Sequence, residues 1–137
     1  MNSVLLAESK AIDAAHMELM LKRLGWKTDI VNDETNLKAK LKAEQYSMII
    51  LDEATLGDEL RETVKMIRDR ENVTGVPVTI IGTTAYSLRG QLRKLLQIGM
   101  DFSLSKPIYN QDLVGILEAV AEKEEQRKEK HLVIAAS

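Results

Sequence analysis

The chain lacks cysteine, and among its 137 residues there are only two histidines, His16 and His131. The first absence excludes disulfides, thiolate metal sites and cysteine nucleophiles, and the second argues against a histidine-built zinc site. Basic residues are not in excess: the formal charge is −2 and the pI about 5.7, which argues against a nucleic-acid binder. No apolar run is long enough for a transmembrane helix, and the N-terminus lacks the pattern of a signal peptide. These absences predict an intracellular, cytoplasmic protein that binds neither nucleic acid nor membrane.

The composition is that of an ordinary globular chain. Apolar residues make up 45% and charged residues 29%, and the length suits one domain. We expect this domain over residues 1–121. Residues 122–137 are predicted as a charged helical extension that ends in an apolar tail.

Short apolar runs of strand length alternate with longer stretches of helical period. The predicted strands are Ser3–Ala7, Thr28–Val31, Met48–Leu51, Val76–Ile81 and Phe102–Ser105. The first, third and fourth runs are nearly continuously apolar, which is typical of strands covered on both faces of a parallel sheet.

The intervening stretches predict five helices. Their apolar residues recur at helical spacing, around Met17–Leu24, Leu37–Leu41, Leu60–Ile67, Leu88–Leu96 and Leu113–Val120. Asn32 or Asp33 is expected to cap the second helix and Asn110 the fifth. Five strand–helix units predict a three-layer α/β sandwich, in which function lies at the carboxyl ends of the strands.

Four chemically distinct side chains follow these predicted strands: Glu8, Asp52, Thr84 and Lys106. Each has an ordinary structural interpretation, such as a helix-capping Asp52, a Glu8 beside a helix N-terminus or a surface Lys106. Together they suit phosphoryl chemistry. Asp52 would attack phosphorus, Mg²⁺ held by Glu8 and Asp52 would offset charge, and Thr84 and Lys106 would bind phosphoryl oxygens.

Longer motifs sharpen this hypothesis. Tyr46–Asp52, Thr84–Gly90, Ile98–Asp101 and Leu104–Ile108 together resemble a two-component response regulator receiver domain, over roughly residues 3–120. The likeness is strongest to receivers attached to hybrid histidine kinases. It implies a CheY-like, flavodoxin-like fold with a five-stranded parallel sheet of order 2-1-3-4-5. It also implies Asp52 as phosphoacceptor, Thr84 and Lys106 as a switch pair, and a cis Lys106–Pro107 bond.

The sequence departs from the receiver pattern at the metal site. Ser9 stands where the family has a second acid, so it would hold the metal only through water, and weak Mg²⁺ binding is expected. The methionine-proline that usually follows the acceptor is replaced around Thr55-Leu56. The backbone carbonyl that the family offers the metal would here come from Ala54.

Two further departures concern the switch. The family's aromatic position is Ser103, while Phe102 lies one residue earlier. The stretch between Asp52 and Thr84 is longer than usual by one or two residues, which makes Thr83 a rival for the hydroxyl role.

Three exposed features remain. Asp13 and Lys10 are expected to face solvent, with an approach to the strand-end crevice as the alternative. Residues 122–130 are predicted to continue the last helix. The apolar run after them, 132–136, is expected to be a frayed tail, or alternatively a contact segment.

The function predicted from sequence is that of a phosphorelay receiver and not of a free-standing enzyme. Its partners would be a histidine kinase or histidine phosphotransfer protein and a downstream protein target. Homodimerisation through the fourth helix, fifth strand and fifth helix, or through the tail, is a further expectation. The alternatives are a degenerate receiver that binds partners without phosphorylation and a small flavodoxin-like cofactor binder. This chain has no glycine-rich loop after the first strand, which argues against the cofactor binder.

Overall fold

The structure is a computed structural model that describes residues 2–136. Five parallel strands form one sheet in the order β2-β1-β3-β4-β5, which confirms the predicted topology. The strands are β1 (Ser3–Ala7), β2 (Lys27–Val31), β3 (Met48–Asp52), β4 (Thr79–Thr84) and β5 (Phe102–Ser105).

Helices cover both faces of the sheet. They are α1 (Ala11–Arg23), α2 (Glu34–Ala43), the short α3 (Glu53–Leu56) with a 3₁₀ turn (Gly57–Glu59), α4 (Leu60–Thr74), α5 (Arg89–Ile98) and α6 (Asn110–Ala136). The fourth and fifth predicted helices are therefore α5 and α6, because α3 was not predicted. Over residues 2–136, no helix has the length and apolar character that crossing a bilayer requires.

Two apolar cores flank the sheet, because alternate strand residues point to opposite faces. Leu5, Ile49 and Ile80 face the core under α2, α3, α4 and α5. Val4, Ile50 and Ile81 face the core under α1 and the first turns of α6. The central strand β3 is buried along its whole length, so the predicted three-layer sandwich is confirmed.

Helix boundaries follow local capping. The Asp33 carboxylate accepts a hydrogen bond from the Asn36 N–H at 2.8 Å, so Asp33 and not Asn32 caps α2. Asn110 was predicted to cap α6 but is its first residue. The side chain that caps this end is Asp112, whose carboxylate accepts from the Tyr109 N–H at 2.9 Å. Gly75 ends α4 with φ of +71°, a conformation that glycine adopts without strain.

The predicted start of the fourth strand at Val76 is wrong by three residues. Pro77 has no N–H to give to a neighbouring strand, and the Val78 N–H donates to the Glu71 carboxylate at 2.7 Å. Pairing with β3 begins only at Thr79, whose N–H donates to the Ser47 carbonyl at 3.0 Å.

Helix α6 runs without interruption across the predicted boundary between residues 121 and 122. Residues 122–130 are exposed and helical, as predicted. The prediction of a frayed tail is wrong for residues 132–136, because these residues continue the helix. The side chains of Leu132, Val133 and Ile134 are exposed. Met1 and Ser137 of the predicted segments lie outside the described residues.

Candidate functional site

The parallel sheet brings the four predicted strand ends to one edge. Asp52 pairs with Thr83 across β3 and β4, and Thr84 pairs with Ser105 across β4 and β5, one residue before Lys106. Glu8 directly follows β1, the other neighbour of β3. Glu8, Asp52, Thr83 and Thr84 are all buried.

Lys106 is the electrostatic centre of this edge. Its Nζ contacts Oε1 of Glu8 and lies 3.0 Å from Oδ2 of Asp13 and 3.0 Å from Oδ1 of Asp52. Its side chain is 17% exposed. Burial alone lowers the pKa of Lys106, but the hydrogen bonds that its ammonium donates to Glu8, Asp13 and Asp52 outweigh this effect and raise the pKa well above the ordinary value. The ammonium is therefore held charged among three carboxylates.

Asp52 has hydrogen-bond donors on both carboxylate oxygens. Oδ1 accepts from the Thr83 hydroxyl at 3.0 Å and faces Lys106. Oδ2 accepts from the Thr55 N–H at 3.1 Å and the Thr55 hydroxyl at 2.8 Å. Asp52 thus caps α3, the ordinary structural role weighed from the sequence, and it is only 2% exposed. A carboxylate in this setting is fixed in orientation and close to a cation.

The two threonines that end β4 point to different partners. The Thr83 hydroxyl contacts Asp52, whereas the Thr84 hydroxyl donates to Oε1 of Glu53 at 2.9 Å and accepts from the Tyr86 N–H at 3.1 Å. Glu53 also binds the Gln91 side chain on α5. Thr83, the alternative to Thr84 for the hydroxyl role, therefore bonds to the Asp52 carboxylate. Thr84 instead bonds to Glu53 of α3, which connects it to α5.

Ser9 and Thr55 cover the open side of the acids. The Thr55 hydroxyl oxygen lies 2.9 Å from the Ser9 nitrogen and 3.0 Å from the Ser9 hydroxyl. It also approaches Oε2 of Glu8 at 3.4 Å, an oxygen that already accepts from the Lys10 N–H at 3.2 Å. Thr55 was noted in the sequence only as a departure from a motif, and its contact with Ser9 depends on tertiary structure.

The donor set, as arranged, does not fit Mg²⁺. A magnesium ion needs oxygen ligands in near-octahedral geometry, but the carboxylate oxygens of Glu8 and Asp52 face N–H and O–H groups or the Lys106 ammonium. Within residues 2–136, no three acidic or histidine side chains are grouped to hold a metal ion. Ala54 is an exposed residue inside α3, so its carbonyl belongs to a helical turn. The predicted roles of Ser9, Ala54, Glu8 and Asp52 as metal ligands stay predictions.

Asp13 corrects one expectation. It was predicted to face solvent, but its contact with Lys106 draws it into the crevice from α1, because a partly buried ammonium attracts every carboxylate in reach. Lys10 has the predicted exposed side chain. Phe102 packs against the core under α1 and α6, the opposite side of the sheet from α5, so no aromatic ring of β5 faces α5. The Lys106–Pro107 bond is cis, as the resemblance implied.

Comparisons with known proteins agree with this architecture. No protein-family model matches the sequence. The sensor histidine kinase GacS of Pseudomonas protegens is 26% identical over 115 residues, which cover 83% of this chain and 12% of the kinase. The peroxide stress-activated histidine kinase mak2 of Schizosaccharomyces pombe is 30% identical over 116 residues, which cover 81% of this chain and 5% of that protein. This chain therefore spans a small part of the curated relatives that it matches.

Among solved structures, the receiver domain of sensor histidine kinase PA1611 from Pseudomonas aeruginosa, with a magnesium ion in its active-site cleft, is 29% identical with a TM-score of 0.72. That match covers 86% of this chain and 95% of the PA1611 domain. The similarity to response regulator receiver domains that the motifs predicted is thereby confirmed, in fold and in sequence.

Proposed function

We propose that this chain is a phosphorelay receiver that accepts a phosphoryl group on Asp52. The observation that carries the proposal is the position of the Asp52 carboxylate, whose Oδ1 lies 3.0 Å from both the Lys106 ammonium and the Thr83 hydroxyl. An Asp52 oxygen would attack the phosphorus of a phosphohistidine. The phosphorus–nitrogen bond would break, and the histidine nitrogen would leave with the bonding electron pair and take up a proton. Lys106 would offset the charge on the phosphoryl oxygens.

The partners follow from this chemistry. A histidine kinase or a histidine phosphotransfer protein would be the donor. Support comes from the kinase relatives and from the receiver domain of Ssk1, solved in complex with the phosphotransfer protein Ypd1 of Saccharomyces cerevisiae. That domain is 24% identical, with a TM-score of 0.71, over 82% of this chain and 83% of the Ssk1 chain. The output would be a changed contact with another protein in the cytoplasm, made by the surface of α5, β5 and α6. The chain would therefore signal rather than turn over a substrate.

Magnesium is proposed as a weakly held partner of this site. The PA1611 domain holds Mg²⁺ in its cleft, and Glu8 and Asp52 supply two carboxylates here. The hydrogen-bond donors around these carboxylates would have to move first. Affinity should therefore be low.

A second candidate, a binding module that works without phosphorylation, is favoured by one observation. Both oxygens of Asp52 are already hydrogen-bonded, and the residue is 2% exposed. A phosphoryl donor would reach it only after Thr55 moves. Asp52 would then serve as the cap of α3 and the counterion of Lys106.

Titration with beryllofluoride, a phosphoryl analogue, in millimolar Mg²⁺ separates the two candidates. If Asp52 is a phosphoacceptor, the amide resonances of Asp52, Thr83 and Lys106 should shift in the NMR spectrum. Asp52→Asn should abolish the shifts, and Asp58→Asn on the nearby exposed turn should keep them. A wild-type spectrum without any change supports the binding module instead.

A further inference from the structure

Two of the departures from the receiver pattern are in contact with each other. Ser9, after β1, and Thr55, in α3, lie 46 positions apart in the sequence. Their hydroxyl oxygens are 3.0 Å apart, and the Ser9 N–H donates to the Thr55 oxygen at 2.9 Å. The missing acid and the altered loop after the acceptor therefore form one structural unit.

The number of hydrogens fixes the direction of these bonds. The Thr55 hydroxyl has one proton and two acceptor positions. Its distance to Oδ2 of Asp52 is 2.8 Å and its distance to Oε2 of Glu8 is 3.4 Å, so the proton goes to Asp52. Both acceptor positions then receive the Ser9 N–H and O–H. The result is a chain of donors that runs from Ser9 through Thr55 to Asp52.

This chain occupies the space between the two carboxylates. A cation bridging Glu8 and Asp52 would need to lie close to Oε2 and Oδ2, and the Thr55 oxygen is near both. The Thr55 N–H on Oδ2 at 3.1 Å anchors the residue from the backbone. Thr55 is also half-buried, so solvent does not readily replace its hydroxyl.

We propose that Ser9 and Thr55 form a plug that competes with divalent cations for the acidic pocket and that Thr55 sets the cation affinity of this chain. The plug concerns the pocket of the proposed function, but it does not depend on phosphorylation of Asp52. A simpler account would assign weak cation binding to the missing charge at Ser9 alone. The two accounts differ in what a change at Thr55 does.

Isothermal titration calorimetry with Mg²⁺ alone tests the plug. Thr55→Ala removes the hydroxyl and opens the space, and it should tighten Mg²⁺ binding by about tenfold, the value of one hydrogen bond to a charged group. Thr55→Ser keeps the hydroxyl and should bind like the wild type. Amide spectra of the β-strands establish that each variant is folded.

Several outcomes would overturn the plug. Equal Mg²⁺ affinity of the wild type and a folded Thr55→Ala variant leaves the missing charge as the cause. A wild type that binds Mg²⁺ as tightly as receivers with two acids would show that no plug blocks the pocket. If Thr55→Ala does not fold, Ser9→Ala serves instead. This substitution removes one of the two donors to Thr55, and it does so at an exposed residue. It should also tighten Mg²⁺ binding. An unchanged Mg²⁺ affinity would contradict the proposal. None of these results bears on phosphoryl transfer, so the proposed function is tested separately.

Discussion

The hydroxyl of Thr83 donates to Oδ1 of Asp52 at 3.0 Å. The neighbouring Thr84 is buried but donates to Glu53 instead. Parallel register explains the difference, since Asp52 pairs directly with Thr83 and successive side chains of a strand point to opposite faces.

The first prediction follows from this register. Thr83→Val should change the carboxyl carbon chemical shift of Asp52 in the NMR spectrum, because Oδ1 loses one of its donors. Thr84→Val should leave that shift unchanged and alter the side-chain resonances of Glu53 and Gln91. The opposite pattern would assign the contact with the carboxylate to Thr84 and contradict this register.

Lys106 is expected to stabilise the fold at neutral pH. Lys106→Met leaves Glu8, Asp13 and Asp52 around a position without positive charge. The loss in free energy of unfolding should be roughly 2–4 kcal/mol, below the fully buried limit because the ammonium is partly exposed. Urea unfolding measures it, with the exposed Lys65→Met as the control.

The alkaline pH dependence gives a separate prediction for Lys106. Its raised pKa means that the folded state holds the proton more tightly than the unfolded chain. This stabilisation is complete below the unfolded lysine pKa of about 10.4 and is lost as the pH rises towards the folded value. The difference in unfolding free energy between wild type and Lys106→Met should therefore shrink above about pH 10.4. A constant difference would contradict a raised pKa.

Arg68 ties α4 to the sheet at the edge opposite the candidate site. Its guanidinium donates to the carbonyls of Gly99 at 2.9 Å and Val78 at 2.9 Å and to Asp101 at 2.8 Å. Arg68→Lys cannot reproduce this fork and should cost roughly 2 kcal/mol in unfolding free energy, measured by thermal or urea denaturation. The exposed Arg61→Lys on the same helix should cost almost nothing, and an equal loss in both variants would show that the fork is unimportant.

Gly82 and Gly115 should respond in opposite ways to alanine. A Cβ on Gly82 in β4 would collide with Met100 and approach Leu95, so Gly82→Ala should destabilise the fold by roughly 1–3 kcal/mol. A Cβ on Gly115 in α6 meets nothing within 4 Å, and Gly115→Ala should stabilise it by about 0.5–1 kcal/mol. Melting temperatures should move down for the first and up for the second. Equal shifts in one direction would contradict the packing around Gly82.

Much of the fold was predictable because local patterns and topology agreed. The runs Ser3–Ala7 and Phe102–Ser105 matched β1 and β5 residue for residue, and alternation of strands and helices restricted the sheet to a few arrangements. The start of β4 was not predictable, since Val76 and Val78 are as apolar as true strand residues. What excludes them is the Val78 bond to Glu71, a contact that only the folded chain makes.

The site was predictable to the level of strand ends and no further. Glu8, Asp52 and Lys106 come together because parallel strands end at one edge. The contacts of Asp13 and Thr55 depend on the side on which α1 and α3 pack, and strand periodicity carries no information on that. The choice between Thr83 and Thr84 depends on the register of β4 against β3, which is fixed by where pairing begins at Thr79.

The most direct test of the account is phosphoryl incorporation at Asp52. Wild-type protein incubated with acetyl phosphate and millimolar Mg²⁺ should gain the mass of one phosphoryl group, detected by intact-protein mass spectrometry and lost on treatment with hydroxylamine. Asp58→Asn should gain it equally, and Asp52→Asn should not. An unmodified wild type, or equal modification of Asp52→Asn, would contradict the assignment of Asp52 as phosphoacceptor.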